Sequence, residues 1–434
     1  MTNIQNISGW GHYPVIQGRV DPVLGAGNVE RLIKNGFSGI PRGLGRSYGD
    51  SAIAPEVLGA LPLDHILEFD SVNGVITCGS GVSLSRILQV VVPKGWFLAV
   101  SPGTKYVTVG GAIASDVHGK SHVKAGSFSD HLVEFTMVDA QGQVRRVLPG
   151  SEEFKATCGG MGLTGFIVKA TFRLKKIESA YIANRTLKAK NLEEVFGYFD
   201  AYEDATYSVA WIDCIAKGKS LGRSILDLGE DARDGRFAVG PEEKISVPVN
   251  APNLLLNRFS MGLFNVLYYH KTIRKDSQRV VHYNPYFYPL DAIGHWYRLY
   301  GKSGFTQYQF VLPREAGLEG MTKVLEKITD FGRGSFLAVL KAFGKGNENY
   351  LSFPMEGYTL ALDFKITPGL FEFLDTLDAI VVDYGGRVYL TKDVRMQQNT
   401  FRRSYPLWEK FKAFREQTGA DKVFHSLQSE RLGL

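Results

Sequence analysis

The sequence contains few cysteines and no long apolar run, and each absence disfavours a class of protein. Its three cysteines, Cys78, Cys158 and Cys214, lie far apart in 434 residues, which disfavours a disulfide framework and a structural zinc site. No apolar run reaches the ~18 residues of a membrane-spanning helix. The N-terminal residues lack the basic start and apolar core of a secretory signal. We therefore expect a protein that is cytoplasmic or peripheral at a membrane.

Two nucleotide-binding signatures are also missing. No GxxxxGK[ST] segment occurs, which argues against a P-loop NTPase. The segment GGMGLTG at 159–165 satisfies GxGxxG, but a Rossmann fingerprint must open a helix, and the strand-like run FIVKATF follows instead. The net charge of +6 is mild for this length and does not indicate a nucleic-acid partner. We expect neither nucleic acid nor a bound metal.

The length and the order of the predicted elements indicate two domains. A chain of 434 residues exceeds the ~250–300 residues at which a single core stops growing. Strand-like runs dominate from Ser129 to Leu174, and beyond about Lys176 aromatic strands alternate with helical stretches. Near the C-terminus, GGRVYLTKDVR (385–395) is typical of a strand and turn, and an amphipathic helix is predicted from about Thr400 to Thr418. The layout predicts an α+β fold.

Two glycine-rich segments stand out in the first half of the chain. PGTKYVTVGGAIASDVHGKSH (102–122) carries the pair Gly110–Gly111, whose amides have no side chain to keep a phosphate away. A bulge in a strand-like run is the alternative interpretation. PRGLGRSYGDSA (41–52) combines glycines with Arg46, Ser47 and Tyr48, a composition that suits a diphosphate bound by main-chain amides.

Taken in order, PRGLGRSYGD, PGTKYVTVGGAIASDVHGK and GGMGLTG resemble the FAD-binding domain of the vanillyl-alcohol oxidase (PCMH-type) superfamily. Within it, the chain is similar to the flavoprotein oxidases of polyprenylphosphoryl ribose. Further matching runs such as AWIDCI, FTQYQFVLP and LSFPMEGY extend the resemblance over nearly the whole chain. The resemblance implies a two-domain α+β flavoprotein. It has an FAD-binding domain at 1–176, a substrate-binding domain built on an antiparallel sheet at 177–386, and a C-terminal return to the FAD-binding domain at 387–434.

The resemblance also implies an activity. It is the FAD-dependent oxidation of the C2′ hydroxyl of polyprenylphosphoryl-β-D-ribose to a 2′-keto intermediate. This is the first half of an epimerisation that makes the arabinose donor for cell-wall arabinan or envelope glycan synthesis. An NAD(P)H-dependent short-chain reductase would be the second epimerase subunit. Two alternatives stay open: an FAD-dependent oxidase of a soluble sugar, alditol or aldonolactone, and a non-catalytic flavin- or lipid-binding protein.

The site residues are those that match the family's motifs. Many superfamily members attach FAD to a histidine at the position of Arg46, and no histidine occurs in 41–51, so we expect non-covalent FAD. The cofactor-binding residues implied are Arg42, Gly43, Leu44, Gly45, Arg46, Ser47, Tyr48, Gly49, Gly103, Thr108, Val109, Gly110, Gly111, Ser115, Asp116, Val117, His118, Ile167 and Tyr389. The substrate-binding residues implied are Tyr48, Lys120, Tyr300, Gln307, Gln309 and Lys392.

Oxidising a secondary alcohol needs a hydride acceptor and a group that takes the hydroxyl proton. No side chain accepts a hydride, so the cofactor must do so. Lys392, as a desolvated amine, and His118, which titrates closer to neutrality, are both candidates for the catalytic base. Gln307 and Gln309 lie two residues apart on a predicted strand, so both side chains are expected on the same side.

One further segment suggests a partner. Residues 251–283 join an apolar, aromatic-rich run to a basic cluster of Lys271, Arg274, Lys275 and Arg279. Such a pair of features is typical of peripheral contact with a membrane. A buried helix followed by a solvated loop gives the same pattern, so both interpretations stay open.

Overall fold

The structure is a computed structural model that describes residues 4–240, 245–249, 258–332, 334–335 and 337–434. The start of the apolar run predicted at 251–283, residues 251–257, lies outside the described residues. All of the predicted site residues lie within them.

The first half of the chain forms two sheets with short helices around them. Its strands are β1 (Ile4–Ser8), β2 (Val15–Pro22), β3 (Ile40–Arg42), β4 (Glu56–Gly59), β5 (Ile66–Asp70), β6 (Val75–Gly79), β7 (Trp96–Leu98), β8 (Leu132–Val138), β9 (Val144–Val147) and β10 (Phe166–Lys176). Its helices are α1 (Ala26–Lys34), α2 (Leu84–Val91), α3 (Val109–Ala114), α4 (His122–Ala125) and α5 (Glu152–Thr157).

The longest of these strands, β10, organises the larger sheet. The strand order is β5-β6-β10-β8-β9, with β7 paired to the end of β10, while β1-β2-β4-β3 form the smaller sheet. Along β10, Ala170 and Phe172 are buried whereas Lys169 and Arg173 are exposed. This alternation confirms the predicted half-buried strand, and the strand directly follows the GGMGLTG segment, as expected.

The rest of the chain builds one large sheet and the helices that cover it. Its strands are β11 (Tyr181–Ala189), β12 (Tyr207–Ile212), β13 (Ser224–Asp231), β14 (Ile245–Ser246), β15 (Asp276–His282), β16 (Ile293–Gly294), β17 (Phe305–Pro313), β18 (Ala338–Phe343), β19 (Gly357–Lys365) and β20 (Arg387–Val388). Its helices are α6 (Leu192–Ala201), α7 (Arg258–Lys271), α8 (Tyr283–Phe287), α9 (Gly317–Phe331), α10 (Leu370–Asp383), α11 (Gln398–Ser404), α12 (Trp408–Gln417) and α13 (Leu427–Leu432).

The large sheet has eight strands in the order β15-β11-β13-β12-β18-β19-β17-β20, and every pairing in it is antiparallel. Side chains alternate between its two faces. Leu360 and Leu362 pack with residues of α9 and α10 in the main core, whereas Ala361 and Asp363 line a cavity on the opposite face. The predicted α+β fold, with an antiparallel sheet in the second half, is confirmed.

The structure excludes the alternative interpretation of Gly110–Gly111 and shows that the helix prediction at 400–418 was wrong. The pair Gly110–Gly111 lies in helix α3 and not in a strand, because the Thr108 side chain caps the helix by accepting the Gly111 N–H at 3.2 Å. The helix predicted at 400–418 is two helices, α11 and α12. Pro406 separates them, since it has no N–H to donate and restricts the residue before it.

The C-terminal residues return to the first half of the chain. Phe424 forms a parallel bridge with Gly39, and Arg431 pairs with Asp50 at 2.8 Å and Asp393 at 3.0 Å. The three domain ranges stay a prediction. Within the described ranges, none of the helices has both the length and the apolarity needed to cross a bilayer.

Candidate active site

A cavity of about 840 Å³ lies between the glycine-rich segments of the first half and the open face of the large sheet. This volume is at the upper end of the range for ligand and cofactor sites. One wall is formed by residues 41–48, 101–104 and 107–120 in part, together with Gly162, Gly165, Phe166 and Ile167. The other wall carries side chains of β11, β12, β13, β15, β17, β18 and β19.

The loop at 43–47 has the chemistry of a diphosphate cradle. The main-chain N–H groups of Gly43, Leu44, Gly45 and Ser47 donate no hydrogen bond within the described part of the chain. Gly45 has φ +63°, in the left-handed region. A left-handed residue within such a turn directs the N–H groups of successive residues towards one point, where they can bind an anion. The donors of this loop therefore fit an anionic group such as the pyrophosphate of FAD.

The two arginines of this loop are held by main-chain carbonyls. Arg42 donates to Ala52 O at 2.9 Å and to Ser8 O, so its guanidinium braces the loop. Arg46 donates from Nε to Tyr106 O at 3.0 Å, and its guanidinium lies 3.8 Å from the centre of the Trp10 ring.

The second glycine-rich segment, at 102–122, contributes close packing against the 43–47 loop, because the N–H groups of its glycine pair are already bonded. The Gly110 N–H donates to Ser80 O at 2.9 Å and the Gly111 N–H is taken by the Thr108 cap. A Cβ atom at Gly43 would lie 2.1 Å from Thr108 Oγ1. The glycines therefore let the first loop lie directly against the start of α3, and both segments reach the cavity together.

Lys392 places a charged group in the cavity that has no protein acceptor. Its Nζ makes no hydrogen bond or ion pair within the described residues and lies 3.9 Å from the centre of the Tyr48 ring. The pKa of Lys392 is lowered to about 7, mainly by burial and in smaller part by the charges of Lys341 and Arg46, while Asp363 opposes the change. An amine with this pKa exists in both protonation states near neutral pH.

Gln307, Gln309 and Asp363 form the polar part of the sheet wall. Both glutamines line the cavity from β17. Gln307 Nε2 donates to Asp363 Oδ1 at 2.6 Å, and Gln309 Nε2 lies 3.1 Å from His118 Nε2 and 3.3 Å from Thr359 Oγ1. Burial raises the pKa of Asp363 to about 7, while the hydrogen bond from Gln307 opposes the rise.

His118 is enclosed by rings and is held neutral. Its ring lies 4.8 Å from Phe343 and 5.0 Å from Tyr389, measured between centroids. Burial lowers the pKa of His118 well below its usual value, and the cations Lys341 and Lys392 add to the effect, as does His122. The side chain is 6% exposed, so His118 fixes the Gln309 amide more readily than it accepts a proton.

Lys120 and Tyr389 also line the cavity. Lys120 donates to Tyr286 O, and burial lowers its pKa to about 7. Tyr389 donates to Ser115 O at 3.1 Å and stacks on Phe353. Its hydroxyl thus links the strand-and-turn segment at 385–395 to the end of α3.

The structure brings most of the predicted site residues to the cavity, but four of them do not line it. Val109 is buried in the core around α3, and Gly49 packs against the Asp393 main chain, where a Cβ atom would lie 1.7 Å from Asp393 O. Tyr300 lies behind Asp363 and stacks on Phe305. Asp116 is fully buried and turned away from the cavity, towards the segment at 347–352.

Sequence reasoning missed several polar and aromatic residues of the sheet wall. They are Asn184, Trp211, Asp227, Lys341 and Asp363. Each follows the period-two alternation of its strand, so the pattern indicates a shared face. It does not indicate that this face bounds a cavity.

Comparisons with known proteins agree with this site. Residues 29–148 match the family described as FAD binding domain. Decaprenylphosphoryl-β-D-ribose oxidase from Mycolicibacterium smegmatis is 37% identical over 100% of this chain and 98% of its own length. L-gulono-1,4-lactone dehydrogenase from Mycobacterium tuberculosis is 22% identical over 88% of this chain and 87% of its own. D-lactate dehydrogenase from Archaeoglobus fulgidus is 31% identical over 25% of this chain and 26% of its own.

The first of these similarities covers both chains almost completely, and the FAD-binding match covers the segments at 41–48 and 101–120 of the cavity wall. The donors of the 43–47 loop fit the cofactor that this match names. The chain therefore belongs to the decaprenylphosphoryl-β-D-ribose oxidase family of the PCMH-type FAD-binding superfamily, and it is an FAD-dependent oxidoreductase.

Proposed function

We propose that this protein oxidises the C2′ hydroxyl of a polyprenylphosphoryl-β-D-ribose to the 2′-keto intermediate. The observation that carries the proposal is the cavity itself, in which an FAD-binding loop faces a sheet wall that carries Gln307 and Gln309, with Lys392 lining the same space. The full-length similarity to a decaprenylphosphoryl-β-D-ribose oxidase supports the substrate class. This oxidation is the first half of an epimerisation that yields an arabinose donor for envelope glycans.

The reaction needs two transfers from one secondary alcohol, a hydride from C2′ and a proton from the C2′ hydroxyl oxygen. Bound FAD supplies the acceptor for the C2′ hydrogen, which leaves as a hydride with the C–H electron pair. The neutral Lys392 amine takes the hydroxyl proton, so that the C–O bond becomes a carbonyl. Gln307 and Gln309 hold the sugar hydroxyls, and His118 orients the Gln309 amide. The amides of the 43–47 loop would hold the pyrophosphate, and the start of α3 supports this loop by close packing.

We further propose that FAD is bound without a covalent bond. Superfamily members that attach it use a histidine, and the matching position here is Arg46. The Arg46 side chain is stacked on Trp10 and bonded to Tyr106 O, and a guanidinium does not form the bond that an imidazole forms.

A single preparation tests the proposal. The purified protein should be yellow, and acid precipitation should leave its FAD in the supernatant. Anaerobic mixing with farnesylphosphoryl-β-D-ribose should bleach the flavin absorbance in a stopped-flow instrument. The 2′-keto product should be trapped in one equivalent per flavin.

The controls are a soluble pentitol and an aldonolactone at the same concentration. L-gulono-1,4-lactone is the sharpest of these, because a relative at 22% identity carries that substrate in its name. Bleaching by the lactone or pentitol alone would favour the soluble-substrate oxidase. No bleaching by any of the three substrates would favour a non-catalytic flavin-binding protein, and colour in the acid pellet would contradict non-covalent binding.

A reductase would have to complete the epimerisation. The GxGxxG at 160–165 leads into β10 and not into a helix, so this segment does not supply a nicotinamide site. We propose that a separate NAD(P)H-dependent short-chain reductase takes up the keto product.

We also propose peripheral contact with an anionic membrane through helix α7. Phe259, Leu263 and Leu267 recur at four-residue spacing on this helix and are 82%, 52% and 62% exposed. The basic residues Lys271 and Arg274 follow, and both are exposed. A row of exposed apolar side chains beside cations fits the boundary between acyl chains and anionic headgroups. The same helix contributes Phe264 and Tyr268 to the cavity wall, so the lipid chain of a substrate would enter there.

Changing Leu267 to aspartate should reduce co-sedimentation with phosphatidylglycerol vesicles several-fold, because a carboxylate on this face opposes both apolar insertion and the headgroup charge. Leu24→Asp is the matched control, since Leu24 is 77% exposed on the loop before α1. Equal sedimentation of the two variants would count against the α7 surface. Phosphatidylcholine vesicles measure how much of the binding depends on charge.

A further inference from the structure

Lys341 is the one cavity lysine that neither the sequence motifs nor the proposed mechanism uses. It lies on β18, in register with Thr359 of β19, and its side chain lines the cavity. Within the described residues its Nζ makes no hydrogen bond and has no carboxylate within 4.0 Å, and the nearest ring, Phe343, lies 5.9 Å away. A desolvated ammonium without a counter-ion is costly unless a ligand supplies the missing anion.

The charge on Lys341 persists at neutral pH. Burial lowers the pKa of Lys341 to about 8, and among the residues that the structure describes no carboxylate acts on it. The amine is therefore mostly protonated near pH 7. Its field in turn lowers the pKa values of Lys120, Lys392 and His118. Three lysines thus line one cavity, and Lys341 repels the other two, which favours an anion among them.

The carboxylates of the cavity are already engaged elsewhere. Asp227 accepts hydrogen bonds from Asn184 and Thr186 at 2.8 and 2.6 Å, Asp291 accepts the Lys105 N–H at 2.9 Å, and Asp363 accepts from Gln307. Lys120 already donates to Tyr286 O. Lys341 therefore keeps its donors for an anionic ligand, as Lys392 keeps its amine for the reacting hydroxyl.

The position of Lys341 fits the geometry of the proposed substrate. Gln309 Nε2 touches both His118 and Thr359, and Thr359 lies opposite Lys341 across the β18–β19 pair. A pentose held at Gln309 would thus lie beside Thr359 and Lys341, in the cavity that Lys392 also lines. In a 1-phosphoribosyl lipid the phosphate and the C2′ hydroxyl are on adjacent carbons, so the cation that binds the phosphate must lie close to the group that takes the hydroxyl proton.

We propose that Lys341 binds the phosphodiester of the lipid-linked substrate, with Lys120 as the second cation of this anion subsite. The inference rests on the proposed function, because it assigns the anion to a phosphate next to the sugar. It also gives the enzyme a means of choosing a phosphorylated lipid-linked pentose over a free sugar. An unphosphorylated sugar would leave the Lys341 ammonium without an anion inside the occupied cavity, and that loss discriminates against such a sugar.

The test uses the FAD-bound full chain and farnesyl monophosphate, a probe that carries the phosphate but has no hydroxyl to oxidise. Binding is followed by the change in flavin absorbance. Lys341→Met keeps the length of the side chain and removes its charge, and it should weaken binding of the probe by about 10–100-fold, as expected for loss of a charge-assisted contact. Lys341→Arg should recover part of the affinity. Inorganic phosphate should compete with the probe in the wild type and not in Lys341→Met.

Lys345→Met is the matched control, because Lys345 is exposed four residues along the chain and carries the same charge. It should change the affinity less than twofold. Equal affinity of wild type and Lys341→Met would overturn the proposal, and so would a wild type that does not bind farnesyl monophosphate. The protein could bind the probe in a Lys341-dependent way and still fail to oxidise farnesylphosphoryl-β-D-ribose. That result would support the anion subsite and contradict only the proposed function.

Discussion

Lys392→Met should slow the anaerobic reduction of bound FAD by substrate about 10²–10⁴-fold, the range expected for loss of a positioned acid–base group. Methionine matches the length of lysine and its packing against Tyr48, so the FAD content of the variant should equal that of the wild type. The measurement is the rate constant of flavin bleaching at saturating substrate, with FAD released by acid and counted in the same preparation.

The pH profile separates a proton-accepting amine from a merely structural side chain. Burial lowers the pKa of Lys392 to about 7, so the amine is protonated below that pH and cannot take the hydroxyl proton. The wild-type rate should therefore rise through about pH 7 and then level off. Lys392→Met should lose this rise, whereas His118→Asn should keep it. The charged groups that act on Lys392 are Asp363, Lys341 and Arg46.

Lys302→Met is the control for charge, since Lys302 is exposed in the turn before β17. It should leave the rate and the profile unchanged. Reduction of Lys392→Met at the wild-type rate would remove this lysine from the mechanism. A rise through pH 7 that survives in Lys392→Met but not in His118→Asn would instead assign the base to His118.

Parts of the site that depend on local chemistry were predictable from the sequence. The 43–47 loop needs glycines and free amides in one short segment, and PRGLGRSYGD contains both. The GGMGLTG segment could be separated from a Rossmann fingerprint by the strand that follows it, and β10 is that strand. Gln307 and Gln309 lie on one side of β17, because a strand repeats every two residues.

The parts that depend on strand register were not predictable. Lys341 stands in AVLKAF, and a lysine that alternates with apolar residues is typical of a solvated strand face. Its actual environment depends on how β18 pairs with β19 and on the loop wall that covers this face. The residues near Lys341 in the sequence do not indicate that a loop wall covers this face of the sheet. Asp363 was missed for the same reason.

Asp116 belongs to a recognised motif, but its side chain has a structural role in place of the predicted contact with the flavin. The resemblance implies a flavin neighbour, but its side chain points into the protein. Oδ1 accepts the Ser129 N–H at 3.0 Å, and Oδ2 accepts from Asn347, Asn349 and Ser352 at 2.8, 3.1 and 2.6 Å. It thereby ties the segment after α3 to the connection between β18 and β19.

Asp116→Ala should lower the free energy of unfolding by about 3–4 kcal/mol and should sharply reduce FAD retention. The change leaves several buried donors without an acceptor, each at a cost of about 1–3 kcal/mol. It also places alanine at φ +38°, a left-handed conformation that aspartate and asparagine tolerate better. The measurements are the urea midpoint of unfolding and the FAD content after gel filtration. Asp116→Asn should lose less, because it keeps one acceptor oxygen and suits the same backbone conformation.

The apoprotein decides whether Asp116 acts through the fold or through the cofactor. Ser115 and Val117 line the cavity on either side of it, so loss of the Asp116 hydrogen bonds would displace the wall and weaken FAD binding indirectly. In that case the apoprotein of Asp116→Ala unfolds at lower urea than the wild-type apoprotein. Asp204→Ala, which removes an exposed carboxylate paired with Lys124, should leave both measurements unchanged. If Asp116→Ala lost FAD while its apoprotein kept the wild-type midpoint, Asp116 would be a direct cofactor contact. The hydrogen bonds to Asn347, Asn349 and Ser352 would then contribute little to the fold.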